Sequence, residues 1–250
     1  MKPSPREPQR RFFAPPEAFK EGAVLLDSEE THHLVRVLRL GKGARVQVFD
    51  GQGCNFAAVV QKVDSQGALL QVLEELAPWG ESGLDLTLGI GLAKGEALDA
   101  VVRQATELGV KLIAPFTSER SEKVSPERAA RRLRRWQRLA QESLKSCRRS
   151  SLPQIELPQD FSAVLAGPEV MKLIFWEEEQ GGSLPAILGQ SRPGSVRALI
   201  GPEGGFSASE AAQAREAGFQ VVSLGPRLLK VPTAALAALA LIQYAWGDLG

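Results

Sequence analysis

Ala198-Leu-Ile-Gly-Pro-Glu-Gly-Gly-Phe-Ser-Ala-Ser-Glu210 is the stretch that decides the fold. Its first three residues are apolar and read as the end of a buried strand. Gly201, Gly204 and Gly205 then let the backbone turn sharply and approach another group closely. Ser207 and Glu210 have the S-x-x-E spacing of a capping box, so a helix starts there. Strand, glycine turn and helix in that order is how α/β proteins build sites at the carboxyl ends of parallel strands. The positive end of the helix faces such a site. The dinucleotide pattern G-x-G-x-x-G is absent, and no Gly-Lys-Ser/Thr follows as in a phosphate loop. A tight turn without a ligand satisfies the same residues. Glu203, read alone, is either part of a site or a carboxylate that complements the helix dipole.

A second turn of the same kind follows. Ser223-Leu-Gly-Pro-Arg-Leu-Leu-Lys-Val-Pro-Thr233 joins the next apolar strand to a last helix, and Pro232 suits a first helical turn. Two glycine-proline turns at neighbouring strand ends point to one pocket lined mainly by backbone groups, a surface suited to an adenine ring and a ribose.

Around these turns the chain alternates strands and helices. Apolar runs at 84–92, 110–116, 171–176, 196–200 and 219–224 read as strands. Helical spacing covers 96–108, which ends at Gly109, and also 126–147, 207–217 and 232–246. The grammar predicts an α/β fold with a mostly parallel sheet covered on both faces. Before the turn-rich break at 78–83 it differs. Short alternating strands at 45–49, 56–63 and 68–73, with a hairpin signal at Asp50-Gly51, predict a small β-barrel or curled sheet. Between them, 31–38 has helical spacing that puts Leu34, Val37 and Leu38 on one face. The expected domains are 1–77 and 84–250.

The bulk numbers are those of an ordinary globular protein: 250 residues, 44% apolar, 24% charged, net charge +1. No apolar run reaches the roughly 20 residues that cross a bilayer. Met1 to Arg11 is rich in proline and charge and shows no secretion signal. Cys54 and Cys147 match no metal or redox spacing, so a reducing cytoplasm is expected and no metal is implied. Between Arg120 and Arg149 eleven Lys/Arg face three Asp/Glu. Such a block is either a solvated helix face or a phosphate-binding surface, and composition leaves both open.

Taken together, Ile200-Gly-Pro-Glu-Gly-Gly-Phe-Ser207, Leu224-Gly-Pro-Arg-Leu-Leu-Lys230 and Thr233-Ala resemble the bacterial 16S ribosomal RNA uridine N3-methyltransferase family, one of the SPOUT or α/β-knot methyltransferases. The resemblance spans nearly the whole chain. It includes Arg10-Arg-Phe-Phe13, His32-His-Leu-Val-Arg-Val-Leu-Arg39, Lys94-Gly-Glu-Ala-Leu-Asp99, Gln104-Ala-Thr-Glu-Leu-Gly109, Ser118-Glu-Arg-Ser121 and Gly247-Asp-Leu249. It implies a PUA-like β-barrel that helps to hold RNA, then a parallel sheet with a C-terminal trefoil knot. It also implies a homodimer acting on 16S rRNA of the small subunit, with S-adenosylmethionine as cofactor. The residues placed at that cofactor are Phe175, Ile200, Gly201, Pro202, Glu203, Gly204, Gly205, Leu224, Gly225, Leu229 and Thr233. Arg227 and Lys230 are the candidates to stabilise charge on the reacting base. Glu203 would position a donor or accept a proton. Arg10, Arg11, Arg36, Arg39 and Arg120 are candidates for RNA phosphates, with the basic helix around Arg131 to Arg135.

Two segments depart from the family pattern. Leu229-Lys-Val-Pro-Thr233 stands where the family usually shows Leu-Arg-Thr-Glu-Thr. Lys145-Ser-Cys-Arg-Arg149 stands where a Glu-Gln pair precedes Cys-Gly-Arg. They keep open an RNA-binding protein of the same fold without turnover, and a knot enzyme acting on another base. A small-molecule nucleotide enzyme without RNA is a third alternative.

Overall fold

The computed structural model describes residues 10–77 and 79–250. The expectation of no secretion signal concerns mainly residues 1–9, which lie outside them, as does Pro78 of the expected domain break. The chain divides into two compact units.

The first unit takes the described residues up to Glu81 together with Leu144–Leu152. Its strands are β1 (Arg11–Phe13), β2 (Phe19–Lys20), β3 (Ala23–Leu25), β4 (Arg45–Phe49), β5 (Asn55–Asp64) and β6 (Gly67–Leu76). They form one mixed sheet in the order β1-β4-β5-β6-β3-β2, with only β1 and β4 parallel. Two register shifts along β5 and β6 add local twist. Asp50 sets the turn between β4 and β5, its carboxylate accepting from the N–H groups of Gln52 and Cys54 at 2.7 and 3.0 Å. The predicted helix over 31–38 is a helix α1 (Ser28–His32) that widens into a π turn over His33–Val37. The wider turn changes which side chains face inward. Leu34 is fully buried and Leu38 packs on the same core, but Val37 is 60% exposed. The expectation that Val37 shares the inner face is thereby corrected.

Charge inside this unit is spent on internal bonds. Arg11 is 3% exposed. Its guanidinium donates to the Leu144 and Arg149 carbonyls, the Asn55 amide oxygen and the Ser150 hydroxyl. Burial lowers its pKa to about 10, and it stays cationic at neutral pH. The Glu81 carboxylate accepts from the N–H groups of Ser150 and Ser151 at 2.7 and 2.8 Å and pairs with Arg149. Lys145 pairs with Glu30, which is 1% exposed.

The second unit holds β7 (Asp85–Gly91), α2 (Ala97–Glu107), β8 (Leu112–Thr117), most of α3 (Pro126–Cys147), β9 (Gln154–Ile155), β10 (Gln159–Asp160) and α4 (Phe161–Leu165). It continues with β11 (Met171–Phe175), α5 (Leu184–Leu188), β12 (Ser195–Ile200), α6 (Ala208–Glu216), β13 (Gln220–Val222) and α7 (Val231–Trp246). All the strand pairs are parallel, in the order β10-β8-β7-β12-β11-β13, with β9 also on β8. β7 and β12 sit mid-sheet and are buried on both faces, which explains their continuous apolar character. The sequence reading missed β9, β10, α4 and α5, which are too short for a period to show.

Burial pushes the Glu30 carboxyl above its usual range, against the pull of Lys145. Lys145→Ala should therefore cost about 3 kcal/mol in urea unfolding, the penalty for a buried charge left alone. Folding raises this pKa, so the stability lost through Glu30 grows as pH rises from its ordinary 4.5 through the raised value. The loss in the variant should shrink on acidification toward 4.5, and Glu30→Gln in the same background should recover part of it. A pH-independent loss would count against the pair.

Candidate functional site

Three parallel strands end side by side, β12 next to β11 and β11 next to β13. The glycine turn leaves β12, Trp176 and Glu177 leave β11, and Ser223 to Lys230 leave β13. With Ala97 at the start of α2 they line a cavity of about 650 Å3.

The turn has its shape because side chains are missing around it. β7 ends in Gly91, where a Cβ would lie 2.5 Å from the Pro202 nitrogen and 2.9 Å from the Gly201 carbonyl carbon. Any side chain there would block the crossing. Gly205 has φ +67°, and a Cβ on it would collide with the Glu177 carboxylate. Its N–H closes the turn on the Pro202 carbonyl at 2.9 Å. Phe206 then drives its ring into the core beside Phe116 and Phe161, with centroids 6.1 and 5.6 Å away. Trp176 donates its indole N–H to the Phe206 carbonyl at 3.1 Å. The predicted capping box is present: Ser207 Oγ accepts from the Glu210 N–H and Glu210 Oε2 from the Ser207 N–H. Glu210 Oε1 also accepts from the Glu119 N–H at 2.9 Å, which ties the loop after β8 to this helix start.

The second loop is more open. Gly225 has φ +101°, and its N–H donates to Ser223 Oγ. Lys230 is the extended N-cap of α7, Val231 is buried, and Pro232 lies in the first turn. Lys-Val-Pro is thus a sound helix entrance: proline presets φ where an N–H has no helical partner, and valine packs inward. Arg227 and Lys230 are exposed and line the cavity, and their side chains have no hydrogen-bonded or ion-paired partner among the described residues.

Of the residues the resemblance places at a cofactor, Phe175, Ile200, Gly201, Pro202, Glu203, Gly205, Leu224, Gly225 and Leu229 line this cavity, as do Arg227 and Lys230. Gly204 and Thr233 do not. Both are exposed, and Gly204 faces Arg120. Glu203 is already engaged, its Oε1 accepting from the Lys94 N–H at 2.9 Å. The sequence reading missed Trp176, Glu177, Ala97 and Ala234, which line the cavity outside the expected turn and loops. The first two follow directly on β11 and were within its reach. Ala97 carries no local signal, since only the sheet order brings the start of α2 here.

The candidates for RNA separate by burial. Arg10, Arg36 and Arg39 are exposed in the first unit. Arg11 is buried and consumed by internal acceptors, so its place on an RNA surface is withdrawn. Arg120 is exposed but donates to the Gly204 and Phe206 carbonyls. On α3, Arg128 and Arg132 pair with Glu122, Arg135 with Glu96 and Asp99, and Arg138 with Glu142. Arg131 and Arg134 are exposed without an ion pair among the described residues. Most of the helix's charge is therefore compensated within the protein. Lys145, the other departure, is spent on Glu30 and does not line the cavity.

Comparison with known proteins gives the family. Residues 80–243 match the model of an RNA methyltransferase domain, and residues 26–73 match an RNA methyltransferase PUA domain. The class is thus an RNA methyltransferase, with an α/β catalytic domain that follows a PUA domain in the sequence. A Synechocystis protein called ribosomal RNA small subunit methyltransferase E is 36% identical over 93% of this chain and 77% of its own. The Bacillus subtilis protein of that name is 28% identical over 88% and 89%. The Neisseria gonorrhoeae protein of that name, solved bound to S-adenosylmethionine, superposes with a TM-score of 0.87 at 33% identity, over 97% of this chain and 100% of its own. The chain belongs to the ribosomal RNA small subunit methyltransferase E family.

The capping box gives a direct check on how the turn is held. Ser207→Ala should lower stability by about 1 kcal/mol, the usual loss of an N-cap, read as a shift in denaturation midpoint at unchanged m-value. No shift would mean that the Phe206 anchor alone sets the helix start.

Proposed function

We propose that this protein transfers a methyl group from S-adenosylmethionine to N3 of a uridine in 16S ribosomal RNA of the small subunit. The observation that carries the proposal is the cavity at the ends of β11, β12 and β13, formed in part by the glycine turn at 201–205, in a chain one-third identical to an S-adenosylmethionine-bound relative. The residues fit that cofactor. Gly201 and Gly205 offer bare backbone, Ile200, Leu224 and Leu229 offer apolar walls for a purine, and charged groups stand at the rim.

When bound, S-adenosylmethionine supplies an electrophilic methyl carbon on a sulfonium centre. The protein's part is orientation and charge. The turn at 201–205 and the loop at 223–230 would hold the nucleoside part, since both line the cavity and the turn leaves its backbone bare. Uridine N3 would give up its proton to solvent water, and the negative charge then shared by N3, O2 and O4 would be met by Arg227 or Lys230, whose side chains have no partner among the described residues. N3 would take the methyl carbon as the bond from that carbon to sulfur breaks, with a neutral thioether as the leaving group. Glu203, fastened to the Lys94 N–H, is a positioning carboxylate in this scheme. Arg10, Arg36 and Arg39 would hold RNA phosphates from the first unit, which is read as the RNA-holding domain.

The proposal extends to a homodimer in the cytoplasm. Leu236, Leu241 and Tyr244 leave apolar surface exposed on α7. Both described cysteines are free, and no described helix is long and apolar enough to cross a membrane. The trefoil knot belongs to the same reading. What supports it is that β13 pairs with β11, so the chain leaving β12 must pass across β11 to reach its place.

Gly205→Ala should leave the protein folded by circular dichroism and abolish S-adenosylmethionine binding in calorimetry; retained affinity would remove the turn from the site. Mass spectrometry of 16S rRNA from a deletion strain should lose one N3-methyluridine. Loss of a different modified base would favour the second reading, that the altered loop at Lys230-Val-Pro232 serves another target atom. Reversing charge at Arg36 and Arg39 should weaken RNA binding and flatten its salt dependence, and an unchanged slope would clear that surface of a role.

A further inference from the structure

Gly204 poses a problem that the cofactor does not solve. It does not line the cavity and its φ is not in the left-handed region. What its missing side chain makes room for is Arg120: a Cβ on Gly204 would lie 2.9 Å from Arg120 Cβ and 3.4 Å from its Cδ. In that space the Arg120 guanidinium donates through Nη1 to the Gly204 carbonyl at 2.9 Å and reaches the Phe206 carbonyl at 3.4 Å. The Phe206 carbonyl is also the acceptor for Trp176, whose ring lines the cavity. The segment bearing Arg120 is fixed in turn: the Glu119 N–H donates to Glu210, and the Glu119 carboxylate accepts from Ser209 Oγ at 2.9 Å.

From this geometry we infer that Arg120 is a positioning residue for the cofactor site: it holds the outer side of the glycine turn, through the Gly204 and Phe206 carbonyls, in the shape that presents Gly201 to Gly205 to the cavity. This rests on the S-adenosylmethionine reading above. It replaces a phosphate contact as the function of this exposed arginine, because Nη1 is already committed to the turn. A turn that must be ordered on binding lowers affinity by the fraction of time it is not in the competent shape. The expected signature is weaker cofactor binding with the methyl-transfer step intact once the site is filled.

The test is a double-mutant cycle on the full chain, read by calorimetry with S-adenosylmethionine, by single-turnover methylation of 16S rRNA, and by RNA affinity against salt. Arg120→Ala should raise the cofactor Kd about tenfold, within the range of a lost charged hydrogen bond, and leave the saturated rate and the RNA salt slope unchanged. Arg120→Lys should recover part of it. Gly204→Ala, which displaces the arginine without removing it, should weaken cofactor binding on its own and add nothing in the Arg120→Ala background. If Arg120→Ala does not fold, Gly204→Ala and Arg120→Lys carry the test. An unchanged cofactor Kd with a salt slope reduced by about one would overturn the inference and make Arg120 a phosphate contact. Additive losses from the two substitutions would overturn the coupling through Gly204. A wild-type protein that fails to bind S-adenosylmethionine would overturn the proposed function, and this inference with it.

Discussion

The second unit depends on one steric constraint: the chain leaving β12 must cross the end of β7 with no side chain between them. Gly91 and the Gly201-Pro202 backbone approach so closely that a single methyl group would separate them. The crossing would be loose without an anchor, and Phe206 supplies it by burying its ring with Phe116 and Phe161. Interiors pack like crystals, so a ring fixed at one end of a six-residue segment sets the rest within narrow limits. The cavity is what remains when the turn is held away from β11 and β13.

The protein sorts its charges by burial. Arg11, Arg149, Glu81, Lys145 and Glu30 are spent on one another or on backbone groups in the first unit, where leaving any one alone would be costly. Arg132 and Arg135 hold α3 to Glu122 and Asp99. Arg227 and Lys230 differ: their side chains have no such partner among the described residues and they line the cavity. A cation kept at a cavity without compensation is available to meet charge that develops on a substrate, which a paired one is not.

Much of this was legible in the chain. The glycine turn, the capping box of Ser207 and Glu210, the αL Gly109 and the longer parallel strands all follow from local rules, and each occurs where those rules put it. The failures share a cause. Val37 has helical spacing but sits on a π turn, so a 3.6-residue period misplaces it. Arg11 looks like any arginine near a chain start, and only the fold brings Leu144, Arg149 and Ser150 around it. Gly204 looks like part of the ligand turn, but its space is occupied by Arg120, 84 residues earlier.

By itself, the sequence determined the α/β grammar, the place of the glycine turn and the family, because glycine conformations, caps and apolar periods act over a few residues. Only the tertiary structure decided which of the described cations are free, that Leu144–Leu152 returns to the first unit, and that of three neighbouring glycines Gly201 and Gly205 line the cavity while Gly204 makes room for an arginine. Those outcomes depend on burial and on partners far apart in the chain, and no local pattern records them.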